Sequence, residues 1–171
     1  MIAIDTERLT IRNFCADDWR QLQDLAVQYQ ATEWAQYEPP WPTSDEGVQG
    51  MADWFSRGDE YLAACLKATG TLIGLIAIER REGPEQRIHN LGYVFHPAYH
   101  GHGYATEGCR AAMRYQFEQL GADGILTGTH PDNAPSVRLL ERLGLKEIAR
   151  GEYSLSRDEW LALSQRPGTM P

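Results

Sequence analysis

Apolar and polar residues alternate from Leu9 to Phe14 (LTIRNF), which predicts a strand. Asp17-Asp18 then opens a helix through Trp19, Leu22, Leu25 and Ala26, with the acids where a helix N-terminus favours negative charge. Glu38-Pro39-Pro40-Trp41-Pro42 interrupts regular structure. Thr43-Ser44-Asp45-Glu46 starts a second helix with Met51, Trp54 and Phe55 on one face, a spacing that predicts core positions for Trp54 and Phe55. Tyr61–Leu66 and Thr71–Glu79 read as two strands joined at Thr69-Gly70, a hairpin. A polar loop follows over Arg81–Gln86, then a strand over Ile88–Phe95 stopped by Pro97. From Gly103 to Leu120 the apolar positions Cys109, Ala112, Met113, Phe117 and Leu120 have helical spacing. Gly121–Gly124 ends that helix, and Ile125–Thr129 alternates as a short strand. Asn133, with Pro135 just inside, starts another helix through Val137, Leu140 and Leu143, closed by Gly144. Lys146–Leu155 is expected as the last strand, with a polar tail after it. The order predicts a mixed α/β fold around one sheet with helices on both faces.

The chain has 171 residues, which predicts one domain over 1–171. Hydrophobic residues at 42% and charged residues at 23% describe an ordinary soluble composition. A net charge of -8 works against binding nucleic acid, suits a cationic substrate and also serves plain solubility. Cys15, Cys65 and Cys109 are odd in number and widely spaced, which argues against a disulfide framework or zinc ribbon and for a reducing cytoplasm. The first residues lack a signal-peptide pattern, and no stretch has the length of a membrane span.

The chemistry concentrates where LGYVF runs into HPAYHGHGYA and a helix begins. A glycine-rich turn feeding a helix N-terminus presents unpaired backbone N–H groups in one direction, and the helix dipole adds positive charge. That device holds phosphate or pyrophosphate without a lysine. A dinucleotide site, a P-loop and a coenzyme A site all use it. The dinucleotide fingerprint fails because Gly101-His102-Gly103-Tyr104-Ala105-Thr106 ends in threonine, and the Walker pattern fails for want of Gly-Lys-Ser/Thr.

Several stretches, in order, resemble the GNAT superfamily of acetyl-CoA-dependent N-acetyltransferases, and within it the branch with the ribosomal-protein acetylating enzymes RimJ and RimL. They are Thr6–Arg12, Leu91–Pro97, Gly101–Glu107, Asn133–Ser136 and Leu143–Leu145. The resemblance implies a GNAT fold: a central, mostly antiparallel twisted sheet, splayed at the acetyl-CoA site and flanked by helices on both faces. The family's Q/R-x-x-G-x-G/A signature falls on His100, Gly103 and Ala105, so His100 departs from the usual Gln or Arg. The implied donor contacts are backbone groups of Gly101, His102, Gly103, Tyr104, Ala105 and Thr106 for the pyrophosphate. Tyr93, Val94 and Phe95 would pair with the pantetheine arm like an extra strand. Asn133 matches a coenzyme-contacting position and also reads as a helix cap. Dimers are common in that family, which leaves a homodimer open.

Acetyl transfer needs a neutral amine. Neutralising a lysine-like amine at pH 7 costs roughly 4 to 5 kcal/mol, and an α-amino group about 1. A backbone N–H near Phe95 is the expected oxyanion donor. Candidates for the acid are Ser136, by its match to the branch's N-x-x-S serine, and Tyr153. Glu79 and Glu152 are candidates for the base, and Ser136 also reads as a cap or a contact to the thioester sulfur. His96, His100 and His102 lack the carboxylate spacing of a metal site, so loop and ligand contacts are expected and no metal. The aromatics Trp34, Tyr37 and Trp41 read either as core or as part of an acceptor site. The branch carries a longer hairpin before a segment like Tyr153–Trp160; here Ile148–Glu152 runs straight into it, so the acceptor wall is cut back or completed by a partner. The expected function is acetyl transfer from acetyl-CoA to a protein N-terminus or a small amine. The alternative is a non-catalytic coenzyme A-binding or sensing module.

Overall fold

The computed structural model describes residues 1–81 and 87–165. In chain order these form β1 (Ala3–Asp5), β2 (Leu9–Asn13), α1 (Trp19–Gln30), α2 (Asp45–Ser56), β3 (Tyr61–Leu66), β4 (Leu72–Ala77), β5 (Ile88–His89) and β6 (Gly92–Phe95). There follow α3 (Tyr104–Glu118), β7 (Gly124–Gly128), α4 (Ala134–Arg142), β8 (Lys146–Ala149), β9 (Glu152–Ser156) and α5 (Arg157–Ser164). Hydrogen bonding arranges the strands as β1-β2-β3-β4-β6 and β5-β7-β9-β8. All the pairings are antiparallel except β5 with β7.

The two groups are halves of one layer that parts after His89. At that point β5 still holds both sides: Arg81 N donates to Ile88 O (2.8 Å), Asn90 N to Glu79 O (2.7 Å), and β5 pairs with β7 across its other edge. Beyond it, β6 stays with β4 while β7 turns away. Side chains take over the carbonyls left at the fork. Gln116 Nε2 donates to Asn90 O (2.6 Å) and Thr127 Oγ1 to Leu91 O (2.9 Å). Both side chains are buried, and such donors keep the opening of a sheet from stranding polar groups.

Helices cover both faces of β3 and β4, which explains their near-continuous apolar sequence. Leu22, Leu25, Val48, Ala52 and Phe55 of α1 and α2 pack on Ala63, Cys65, Leu72 and Leu75. Cys109, Ala112, Met113 and Phe117 of α3 pack on Leu62, Ala64, Ile73 and Ile76. A bulge opposite Ala64/Cys65 shifts the register, so Leu72 and Leu75 face the same side although three residues apart.

One strand went unforeseen and four sequence expectations need correction. The chain begins with a strand, β1, too short for alternation to reveal. Ile88–Phe95 is not one strand but two, because the fork divides it between sheet halves. Lys146–Leu155 is a hairpin turning at Arg150-Gly151, where Gly151 takes a φ of 78°. The chain after Ser156 is helical, not a polar tail: Ser156 Oγ accepts from Glu159 N (3.3 Å) while Glu159 Oε2 accepts from Ser156 N (2.9 Å), a reciprocal cap. That helix, α5, stacks Trp160 on Phe117 with ring centroids 5.1 Å apart. Finally, Trp54 is 56% exposed and packs on the rings of Phe55 and Tyr61, so only Phe55 of the pair is core. The polar loop expected up to Gln86 lies, past Arg81, outside the described residues. The three cysteines are free, with Cys65 and Cys109 buried. Among the described residues no helix is long and apolar enough to cross a membrane.

Asp18 anchors the start of α1. Its carboxylate accepts from Arg12 Nη1 and Nη2, each at 2.8 Å, and from Cys15 N at 2.8 Å. Burial pushes its pKa up, but the bonds from Arg12 and Cys15 outweigh it, and the net shift is downward. Replacing Asp18 by Asn should cost about 2–3 kcal/mol at pH 7, short of a fully buried pair because Arg12 is a third exposed. A carboxylate held below its unfolded value stabilises above pH ~4 and loses that contribution as pH falls through the folded value. Urea melts at pH 7 and pH 3 should therefore show the parent–variant gap closing in acid.

Candidate functional site

The open edge of β6 forms one wall of the site. His96 N donates to Ile73 O (2.8 Å), so His96 faces β4; strand alternation then turns the backbone of Phe95 and Tyr93 to the open edge. The Phe95 carbonyl is taken by His100 Nε2 at 2.8 Å. His100 therefore folds back on the strand that precedes its own loop. The Phe95 N–H, pointing the same way, is left facing the opening.

Pro97–Tyr99 makes one 3-10 turn, and the loop then climbs to α3. Gly101 and Gly103 have φ of 78° and 81°, the left-handed region where a Cβ is strained. Gly103 is the N-cap of α3 and has no side chain to satisfy the first N–H groups, which remain available to a ligand.

The loop is held from below by the N-terminal segment. Glu107, in the first turn of α3, accepts from Thr6 Oγ1 (2.6 Å), Arg8 N (2.8 Å) and Arg8 Nε (2.7 Å). Arg8 Nη1 in turn donates to His102 O (2.9 Å), and its guanidinium lies 4.4 Å from the centre of the Tyr104 ring. Partial burial raises the Glu107 pKa, yet the bonds from Thr6 and Arg8 prevail and hold it low.

Between β6, this loop and α4 lies a cavity of about 460 Å³. Of the residues expected from sequence to hold a donor, Tyr93, Val94, Phe95, His100, Gly101, Gly103, Tyr104, Ala105, Thr106, Asn133 and Ser136 line it. His102 does not; its Nδ1 donates to His100 O (2.8 Å) and its ring lies toward solvent. Asn133 both lines the cavity and caps α4, its Oδ1 accepting from Ser136 N (3.4 Å).

At the inner end, Tyr93 Oη and Ser136 Oγ are 2.8 Å apart. Burial, with smaller contributions from Cys109 and Glu38, pushes the Tyr93 phenol well above its ordinary value. It stays protonated, and either hydroxyl can donate in the 2.8 Å contact, since Tyr93 Oη also donates to the Ser136 carbonyl at 3.3 Å. The other catalytic candidates sit apart from this pair. Tyr153 is 3% exposed within β9, paired between Thr127 and Glu147, and does not line the cavity. Glu79 is also outside it, accepting from Tyr61 Oη and from Asn90 Nδ2 (2.7 Å), so it ties β3 to Asn90, the residue at the fork between β6 and β7. Glu152 is exposed beside the hairpin turn. The three histidines diverge: His96 Nδ1 accepts from Ala98 N (3.1 Å), so its Nε2 carries the proton toward Asp24 (3.1 Å).

Trp34, expected either as core or in an acceptor site, lines the cavity; sequence reasoning missed Tyr29, Glu38 and Arg142 among other lining residues. Arg142 Nη1 donates to Thr106 Oγ1 (3.2 Å), placing a cation beside the loop that presents its N–H groups. Glu38 and Tyr29 also line a second cavity of about 490 Å³, bounded by Glu33, Pro39, Pro40 and Trp41. A helical pattern and a proline break carry no mark of such neighbours; an acid bordering an aromatic, proline-rich segment was the available signal.

Comparison with known proteins agrees with this geometry. The family model for the acetyltransferase (GNAT) domain matches residues 8–146. An uncharacterized N-acetyltransferase of Bacillus subtilis (strain 168), YnaD, is 26% identical over 173 residues, covering 92% of this chain and 98% of its own. A GNAT-family acetyltransferase structure from Bacillus anthracis superposes with a TM-score of 0.81 at 23% identity, covering 92% of this chain and 100% of the other. The ribosomal-protein-S5-alanine acetyltransferase of Vibrio fischeri gives 0.78 at 16% identity, covering 94% and 99%. The last two likenesses are of fold.

Gly103→Ala tests the loop. An alanine held at positive φ should cost ~1–2 kcal/mol, and relaxation of the loop should weaken coenzyme A binding about tenfold. Thermal melting and calorimetric titration measure the two effects separately.

Proposed function

The chain belongs to the GNAT acetyltransferase family, and we propose that it acts as a single unit over residues 1–171, moving acetyl from acetyl-CoA to a primary amine, a protein N-terminus or a small amine. The observation that carries the reading is the cavity itself. An open strand edge, a positive-φ glycine loop at a helix N-terminus and a half-buried hydroxyl pair meet around one space of about 460 Å³. Each part suits a different part of the donor. The outward backbone of Tyr93 and Phe95 suits the amides of a pantetheine arm. The N–H groups of Gly101 to Thr106 suit the pyrophosphate, and Arg142 adds a cation on the same side. The residues present therefore fit the donor, and His100 in place of Gln or Arg leaves the backbone cradle intact.

At the reacting end, the Phe95 N–H faces where the carbonyl oxygen would gain charge. Ser136, steadied by Tyr93, is placed to give the departing sulfur its proton. β8 and β9 are joined by a two-residue turn, shorter than the hairpin of the RimJ/RimL-like branch. A RimJ/RimL-like assignment is supported by the segments Thr6–Arg12 and Asn133–Ser136, and a reducing, cytoplasmic setting by the free cysteines.

The test is release of coenzyme A thiol from acetyl-CoA in the presence of a panel of peptides, diamines and aminoglycosides. Turnover with any of them supports the reading. Donor binding without thiol release across the panel would mark a coenzyme A-binding module instead. Ser136→Ala should lower kcat roughly 10²-fold with donor affinity little changed. Tyr93→Phe should lower it less, since the serine hydroxyl remains.

A further inference from the structure

Glu38 occupies a position the reaction has not used so far. It is the one carboxylate among the described residues lining the 460 Å³ cavity, and it lines the neighbouring 490 Å³ cavity as well. Tyr29 is the other residue common to both, so this pair marks their junction. The 3-10 turn Glu33–Tyr37 delivers Glu38 there in an extended conformation (φ -121°, ψ 151°), as the residue before a proline requires. Tyr37 secures the turn by stacking on His130, ring centroids 4.4 Å apart.

The Glu38 carboxylate makes no hydrogen bond or ion pair among the described residues. Glu79, the acid first expected as a base, has its oxygens occupied by Tyr61 and Asn90. The lining of the second cavity contains two carboxylates, Glu33 and Glu38, the rings of Tyr29 and Trp41, and no Lys, Arg or His. That surface favours an incoming ammonium and its alkyl stem. Burial raises the Glu38 pKa, in the direction that makes a carboxylate a better proton acceptor. Burial and then the charge of Glu38 push the Tyr29 phenol up to about 12, so this neighbour stays neutral. The other charged or titratable groups lining the two cavities are Tyr93 on β6, Tyr99 and His100 before α3, Tyr104 in its first turn, Arg142 on α4 and Glu33 in the turn.

We propose that the cavity beneath Pro39-Pro40-Trp41 admits a protonated alkylamine and that Glu38, at its junction with the donor cavity, takes the proton that frees the amine for attack. This rests on the acetyl-CoA reading above. Of the three N–H protons of the ammonium, one passes to Glu38 and on to solvent. The freed lone pair forms the C–N bond to the thioester carbonyl as the C–S bond breaks. A second proton leaves the new C–N centre and restores the one that Ser136 gives to sulfur, and the third stays on the amide. The products are an N-alkylacetamide, coenzyme A thiol and one proton.

Glu38→Gln separates this role from a structural one. Coenzyme A thiol release is followed at pH 7 with butylamine, which is protonated there, and with trifluoroethylamine, which is neutral. Donor binding is titrated in parallel. The expected result is a fall in kcat/KM of roughly 10²-fold or more with butylamine, under about threefold with trifluoroethylamine, and unchanged donor affinity. Equal losses with both amines, or no loss with either, would overturn the assignment of Glu38 while leaving the acetyltransferase reading in place. Failure of the parent protein to bind acetyl-CoA would overturn both.

Discussion

The parting of β6 from β7 is the constraint around which the molecule is organised. A sheet gains from pairing every strand edge, so an edge left open in the middle of a layer needs compensation nearby. Here the compensation is specific. Gln116 and Thr127 take the carbonyls at the fork, Glu79 holds Asn90, and His100 takes the carbonyl of Phe95. What remains open on that edge is the Phe95 N–H together with the N–H and carbonyl of Tyr93. Opening the sheet therefore creates a binding surface made of backbone, and it does so at a depth that loops alone would not reach.

A second demand follows from the first. The glycine loop above the open edge has two residues at positive φ and no side-chain cap, so it is a poorly self-supported piece of chain. Its rigidity comes from the far end of the sequence. Thr6 and Arg8 converge on Glu107, and Arg8 reaches His102 O directly, so the segment around β1 and β2 braces the start of α3. The charges pair with each other rather than with the ligand, which keeps the loop's N–H groups free for phosphate. This division suits a protein with a net charge of -8, since a phosphate held by backbone N–H groups would need no cationic surface.

The two ends of the site differ in charge accordingly. Arg142 and the α3 N-terminus lie on the donor side, while the junction with the second cavity holds Glu38 and the phenol of Tyr29. A polyanionic donor and a cationic acceptor would thus each meet the end that suits them, with the Tyr93–Ser136 pair between.

Sequence by itself determined the elements with strong local signals. The strands and helices of the core followed from period-2 and period-3.6 patterns, and Gly101 and Gly103 announced the loop because left-handed backbone needs glycine. Most of the residues on the strand–turn–helix side of the 460 Å³ cavity were legible for the same reason, lying on one contiguous unit. Tertiary structure alone decided the rest. Ile88–Phe95 reads as one strand because nothing local records that its partners separate at His89. Glu38 and Arg142 reach the cavity from segments about 100 residues apart, and Glu79 looked like a base until its partners on Tyr61 and Asn90 were visible. Local periodicity records which face a residue presents, whereas a carboxylate's role depends on which neighbours arrive at it, and those come from elsewhere in the chain.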